Sequence, residues 1–254
     1  MTDSLLFGLF LSSGCIILGL GVWSSVINLK RSTLFGKIYV IIHVMDTIQV
    51  FLMSIQYLLP NDFTLLIEHL VIFIAGIWTA FLSIVRLIVI ASPFYRIRRG
   101  LFWCCGVDVT IVYLTGVTLS YRVVTNRLQM LIYVTSSSLP VILVLLGTGT
   151  AIFLVLRKPN PSIPISPEKR AASWTIIYVN MIYFGYYCSV VALFLGEHIY
   201  NSNTLPVTIA LRLFTQFFYV FHSAATPLIV TRGEIRDVVR KCGCCRKNNT
   251  VNPE

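Results

Sequence analysis

The sequence predicts an all-α fold: a bundle of seven membrane-spanning helices followed by a short amphipathic C-terminal helix. Three observations predict it. Of 254 residues, 56% are hydrophobic and only 12% charged, whereas a soluble domain carries about 25% charged residues. The apolar residues come in blocks, and seven blocks approach the roughly 20 residues a bilayer-spanning helix needs. Basic residues are sorted into alternate connections between those blocks, as in a chain that crosses a membrane repeatedly.

The blocks are 5–28, 38–59, 64–90, 102–120, 128–156, 171–195 and 206–230. The first has no basic n-region, exceeds the length of a signal-peptide core and is followed by Lys30 and Arg31, so it reads as a span and not a cleaved leader. The second carries Asp46 midway, and Pro60, Asn61 and Asp62 turn it into the third. The third holds Glu68 and His69 early and Arg86 near its end; the fourth carries Asp108. Residues Arg122 to Arg127 close the fourth onto the fifth, which contains Pro140. Between the fifth and sixth, Pro159, Pro161, Pro164 and Pro167 punctuate a connector from Arg157 to Arg170. Prolines at that density oppose helix and favour extended backbone. Short connections force neighbouring helices to be antiparallel, which gives a compact bundle.

After the seventh block, Ile235, Val238 and Val239 fall on one helical face, and Arg232, Arg236 and Arg240 fall on another. That is a short amphipathic helix lying along a membrane surface. Cys242, Cys244 and Cys245 follow at once, and juxtamembrane cysteines beside basic residues suit reversible palmitoylation; unmodified thiols are the plainer alternative. Residues 1–241 are expected to form one helical domain and 242–254 a short tail.

With the N-terminus outside, the inner side collects Lys30, Arg31, Lys37, Arg96, Arg98, Arg99, Arg157, Lys158, Lys169, Arg170 and the basic tail. The outer loops hold only Arg122 and Arg127. The positive-inside rule therefore places the N-terminus out and the C-terminus in, and the sequon at Asn248 should stay without glycan. The net charge of +10 sits in short juxtamembrane segments and not on a solvated basic face, which argues against nucleic-acid binding. None of the seven cysteines falls in an outer loop, so no extracellular disulfide framework is expected.

Two segments resemble the rhodopsin-like G-protein-coupled receptors. Ser83-Ile84-Val85-Arg86-Leu87 ends the third span and leads to Pro93 and Phe94. That is similar to the family's Asp/Glu-Arg-Tyr motif with a proline seven residues beyond the arginine; Val85 and Leu87 replace the acid and the tyrosine. Thr226-Pro227-Leu228-Ile229-Val230 resembles the family's Asn-Pro-x-x-Tyr, with the proline kept. Further matches are looser. Asp46 resembles the acid of the family's sodium site, although Ala75 stands where its serine would be and the interval to Arg86 is short. His222 and Ser223 lie beside Pro227 as polar core residues. Pro140 matches the fifth-helix proline. Glu168-Lys169-Arg170-Ala171-Ala172 resembles the start of the sixth helix, where the resemblance implies that Glu168 can pair with Arg86. The family's Trp-x-Pro is absent, and Tyr183 or Tyr186 takes the aromatic position. The outer cysteine of the third span is absent too.

The resemblance implies a receptor in the plasma membrane that takes an extracellular ligand among its outer helix halves and couples to a heterotrimeric G protein through Arg86, Pro93, Glu168 and Pro227. Glu68 stands five turns before Arg86, where amine receptors of the family carry an acid. A carboxylate inside the bilayer is costly without a partner. Two partners fit, a ligand ammonium or Arg212 across the bundle, so the ligand's charge stays open. His69, Tyr183, Tyr186, Tyr187 and Gln216 complete the expected ligand contacts, and membrane lipid is the remaining partner. No cofactor is implied. A retinal protein needs a lysine in the seventh span, and 206–230 holds none. Enzyme chemistry finds no paired carboxylates on one face and only four dispersed histidines, His43, His69, His198 and His222. The alternative is a transporter or channel, which predicts repeats, broken helices or rings of acids along a pathway.

Overall fold

The structure, a computed structural model, describes residues 2–30, 34–58, 62–91, 99–158, 165–200 and 206–231. Seven helices fill them: α1 (Thr2–Lys30), α2 (Leu34–Leu58), α3 (Asp62–Ala91), α4 (Arg99–Tyr121), α5 (Arg127–Arg157), α6 (Pro167–Tyr200) and α7 (Pro206–Val230). No strand occurs among the described residues. The amphipathic segment 232–241, the tail cysteines and Pro93 lie outside them.

Several helices, among them α3, α5 and α6, run beyond the apolar blocks at both ends, where local chemistry sets their bounds. Asn126 caps α5, accepting a hydrogen bond from the Gln129 amide at 2.9 Å, and Gln129 reaches back to the Thr125 amide at 2.7 Å. That reciprocal arrangement satisfies amides a helix start leaves unpaired. The proline-rich connector was expected to extend to Arg170, but α6 begins at Pro167. A proline in the first helical position loses nothing, since its missing N–H would be unpaired there anyway.

Side-chain pairs define the packing. Ser24 meets His43 and Gly14 meets Val50, so α1 and α2 are antiparallel. Asp46 meets Tyr183 and Gln49 meets Tyr186, so α2 and α6 run parallel. Helix α3 sits at the centre, against α2, α4, α5 and α6, and α1 closes the ring onto α7. Among the described residues α4 packs on its neighbours α3 and α5, held by a cluster of Trp78, Phe81, Phe102 and Trp103 with ring centroids 4.6–6.0 Å apart. Gly76 leaves room on α3 for the ring of Tyr187 from α6: a Cβ there would overlap the Tyr187 hydroxyl.

The outer surface of the bundle is apolar, and its interior holds polar side chains among buried apolar ones. Val112 is 73% exposed, and Ile16, Ile132, Leu143, Met181 and Phe217 also face outward. Asp46, His43, Gln49, Ser83, Arg86, Asn180 and His222 are buried. A soluble protein does not expose so continuous an apolar surface; hydrocarbon accepts it without cost. Among the described residues six helices are long and apolar enough to cross a membrane: α2 through α7, with spans such as His69–Ala91 and Leu128–Arg157. The chain is therefore a multi-pass helical membrane protein. In α1 the described apolar stretch, Gly14–Asn28, is shorter than these six.

Candidate functional site

A column of buried polar side chains runs through the centre of the bundle, and α6 is its spine. Asp46 and Gln49 share one face of α2, three residues apart, while Tyr183 and Tyr186 share one face of α6 at the same spacing, so the two pairs meet in register. The Tyr183 hydroxyl donates to the Asp46 carboxylate, 2.8 Å from Oδ1 and 3.0 Å from Oδ2. Gln49 Nε2 donates to the Tyr186 hydroxyl at 3.1 Å. From α7, His222 Nε2 lies 3.4 Å from Asp46 Oδ1. Its ring stacks on Tyr186 at 4.7 Å between centroids and meets Tyr183 edge-on at 5.0 Å. One carboxylate thus joins α2, α6 and α7 in surroundings with almost no solvent.

One turn along α6, Asn180 carries the column to α3 and α5. Ser83 Oγ lies 2.6 Å from Asn180 Oδ1 and 2.9 Å from the Thr79 carbonyl, two acceptors for one hydroxyl proton. Asn180 Nδ2 donates to the Leu145 carbonyl at 3.3 Å. At the end bearing the α5–α6 connection, Arg86 Nε donates to Ser173 Oγ at 3.0 Å, and its terminal nitrogen donates to the Lys169 carbonyl. The guanidinium also lies 5.5 Å over the Phe35 ring, within cation–π range. A side branch joins His43 Nε2 and Ser24 Oγ at 3.1 Å.

The structure thus brings Asp46, Tyr183, Tyr186 and His222 together, with Arg86 farther along the same column. It departs from two expectations. Glu168 does not pair with Arg86: it is exposed in the first turn of α6, and Arg86 instead takes the backbone of Lys169 and the hydroxyl of Ser173. The reason is reach, since the first turn directs Glu168 outward while Ser173, on the inward face, lies beside Arg86. The tyrosines expected to line an outer cavity are buried links between helices, with Tyr187 donating to the Ile72 carbonyl at 2.9 Å. Asp46, His222 and Ser223, read from the sequence as polar core residues, are all buried. His69 is buried, with its ring 6.3 Å from Tyr133. Ser223 is buried and its Oγ has no hydrogen-bond partner among the described residues. Pro227 is buried one turn beyond His222, where Thr226 Oγ1 donates to the His222 carbonyl at 2.8 Å. The side chains of Glu68, Arg212 and Gln216 lie outside the described residues.

Sequence reasoning passed over Gln49, Asn180 and Ser173 and gave Ser83 no role. Their signal was available: Ser173, Asn180, Tyr183 and Tyr187 follow helical spacing along one stripe of an otherwise apolar segment. No cluster of three or more His, Cys, Asp or Glu side chains suited to a metal ion occurs among the described residues. The arrangement holds helices in one register and offers a discrete set of hydrogen bonds that a shift of α6 would exchange. No protein-family model matches the sequence, and none of the curated proteins is detectably similar to it. Fold and site define the class of a multi-pass helical membrane protein with a buried polar column.

Proposed function

We propose that the chain is a divergent receptor of the rhodopsin-like G-protein-coupled type, in which all seven helices, α1 included, cross the plasma membrane with the N-terminus outside. The observation that carries this reading is the hold on Arg86. An arginine at the end of α3 is tied to α6 through Ser173 and the Lys169 carbonyl, in line with a polar cluster in which the same helix meets Asp46 and His222. A ligand that favours a shifted α6 would break the Tyr183–Asp46 bond in the centre and free Arg86 at the far end. This is a population shift between two sets of contacts. The freed arginine, with the neighbouring basic loops, would form the docking face for a heterotrimeric G protein. In this role the protein performs no catalysis.

The test is nucleotide exchange on a panel of purified G proteins, using the chain in lipid nanodiscs with amine and peptide pools added. Exchange above empty discs with the intact chain, lost in Arg86→Ala, is the expected result. Exchange equal to empty discs from a preparation shown to bind a ligand would refute signalling.

The buried Asp46–His222 contact of 3.4 Å favours a second reading, a proton-coupled transporter, because intramembrane carboxylate–histidine pairs serve as proton relays. Proton uptake into liposomes that Asp46→Asn abolishes would select it over the receptor.

A further inference from the structure

We infer that the outward furrow between α5 and α6 is a binding site for one anionic glycerophospholipid, its acyl chain in the furrow and its phosphate on the basic cluster at the furrow's end. The inference goes beyond the receptor reading and requires only that the chain spans a bilayer. The furrow has a volume of about 330 Å³. Its walls are the outward-facing Leu146, Phe153 and Met181, and Ile177 and Asn180 form its buried floor. Its depth comes from Gly149, where a Cβ would stand 3.5 Å from Asn180 Nδ2. Asn180 turns its amide inward, to Ser83 and to the Leu145 carbonyl, so the floor presents little unsatisfied polarity to a hydrocarbon chain.

Charge decides which lipid. Phe153 lines the furrow, and Trp174, one turn before Ile177 on α6, packs against it edge to face at 5.9 Å. One helical turn beyond Phe153, on the same face of α5, stands Arg157; Lys158 follows, and Lys169 and Arg170 begin α6. All four are exposed, with Glu168 the single acid among them. Arg170 is steadied by its hydrogen bond to the Leu156 carbonyl at 3.2 Å. An apolar slot that leads in one line to four cations and one carboxylate matches a molecule with a hydrocarbon tail and a negatively charged head. A zwitterionic headgroup would bring its own cation into the cluster. An occupied furrow braces α5 against α6, the helix that holds Arg86.

Trp174 reports on the site. The full-length chain is placed in phosphatidylcholine nanodiscs containing brominated-tail phosphatidylglycerol or, at the same mole fraction, brominated-tail phosphatidylcholine. The difference between the intact chain and Trp174→Phe isolates the fluorescence of Trp174. Brominated phosphatidylglycerol should quench it at a lower mole fraction than brominated phosphatidylcholine. Arg157→Gln and Lys158→Gln alter exposed side chains, and each should weaken that preference about fivefold. Gly149→Leu, which fills the slot, should reduce quenching by the anionic lipid to the phosphatidylcholine level. Equal quenching by the two lipids in the intact chain overturns the proposal, whatever the variants do. A preference that survives both glutamine substitutions overturns the assigned headgroup contacts and with them the site.

Discussion

The Tyr183–Asp46 bond ties α6 to α2 at the centre of the bundle, and one substitution removes its donor. Tyr183→Phe removes one hydroxyl and leaves the ring, its contact with His222 and the packing of a side chain that is 1% exposed. What is lost is a donor placed 2.8 and 3.0 Å from the two carboxylate oxygens. A hydrogen bond to a charged group contributes about 1.5–3 kcal/mol in soluble proteins. Inside membranes, polar pairs measured by double-mutant cycles average about 0.6 and reach about 1.7 kcal/mol, because the unfolded helices find other partners. The two-oxygen geometry and the burial of both side chains place this bond near the top of that range, at about 1.5 kcal/mol. Asp46→Asn keeps the shape and an acceptor oxygen but removes the carboxylate from both Tyr183 and His222. The assay is a double-mutant cycle on unfolding in mixed detergent. The two substitutions should be non-additive by about 1 kcal/mol, well outside the roughly 0.3–0.5 kcal/mol scatter of independent sites. Additivity within that scatter would show that the hydroxyl and the carboxylate do not act on each other, and the central cluster would lose its role as a switch.

Other outcomes follow from the same geometry. Asn180→Leu should cost only about 1 kcal/mol in the same unfolding assay, because Ser83 and Thr148 keep backbone acceptors at Thr79 and Val144; a loss of several kcal/mol would contradict this. Gly76→Ala forces a methyl group onto the Tyr187 hydroxyl, and Tyr187 is held to the Ile72 carbonyl. Overpacking of this kind costs about 1–3 kcal/mol, and Tyr187→Phe in the same chain should recover part of it. Val112→Asp puts a charge on the outward face midway along α4, and a membrane-insertion assay of that helix should register about 2.5–3.5 kcal/mol against insertion; unchanged insertion would mean that this face does not meet lipid. Ser173→Ala removes one of the two α6 contacts of Arg86 and, on the receptor reading, should raise ligand-independent nucleotide exchange while leaving stability within about 1 kcal/mol.

The helices themselves were legible in the chain because the bilayer imposes length and apolarity on each span separately, and a local property can be read locally. The block 64–90 falls within α3, and the block 206–230 has the bounds of α7. The start of α6 was read late because a proline-rich connector and a proline at a helix start look alike until the following turn is in place. Asp46, Arg86 and His222 could be singled out alone, since polar groups inside an apolar span are costly wherever they lie. What they touch was not legible. Asp46 and Tyr183 are 137 residues apart, and their meeting depends on the rotation of α2 and α6 about their own axes. Those rotations are decided by close packing at places such as Gly76 against Tyr187. The same packing explains why Arg86 holds Ser173 and not Glu168. The sequence by itself determined that this is a helical membrane protein and which polar residues need partners. Only the tertiary structure decided the partners, because hydrogen bonds are short and directional, and no spacing along one helix specifies which face of another it will meet.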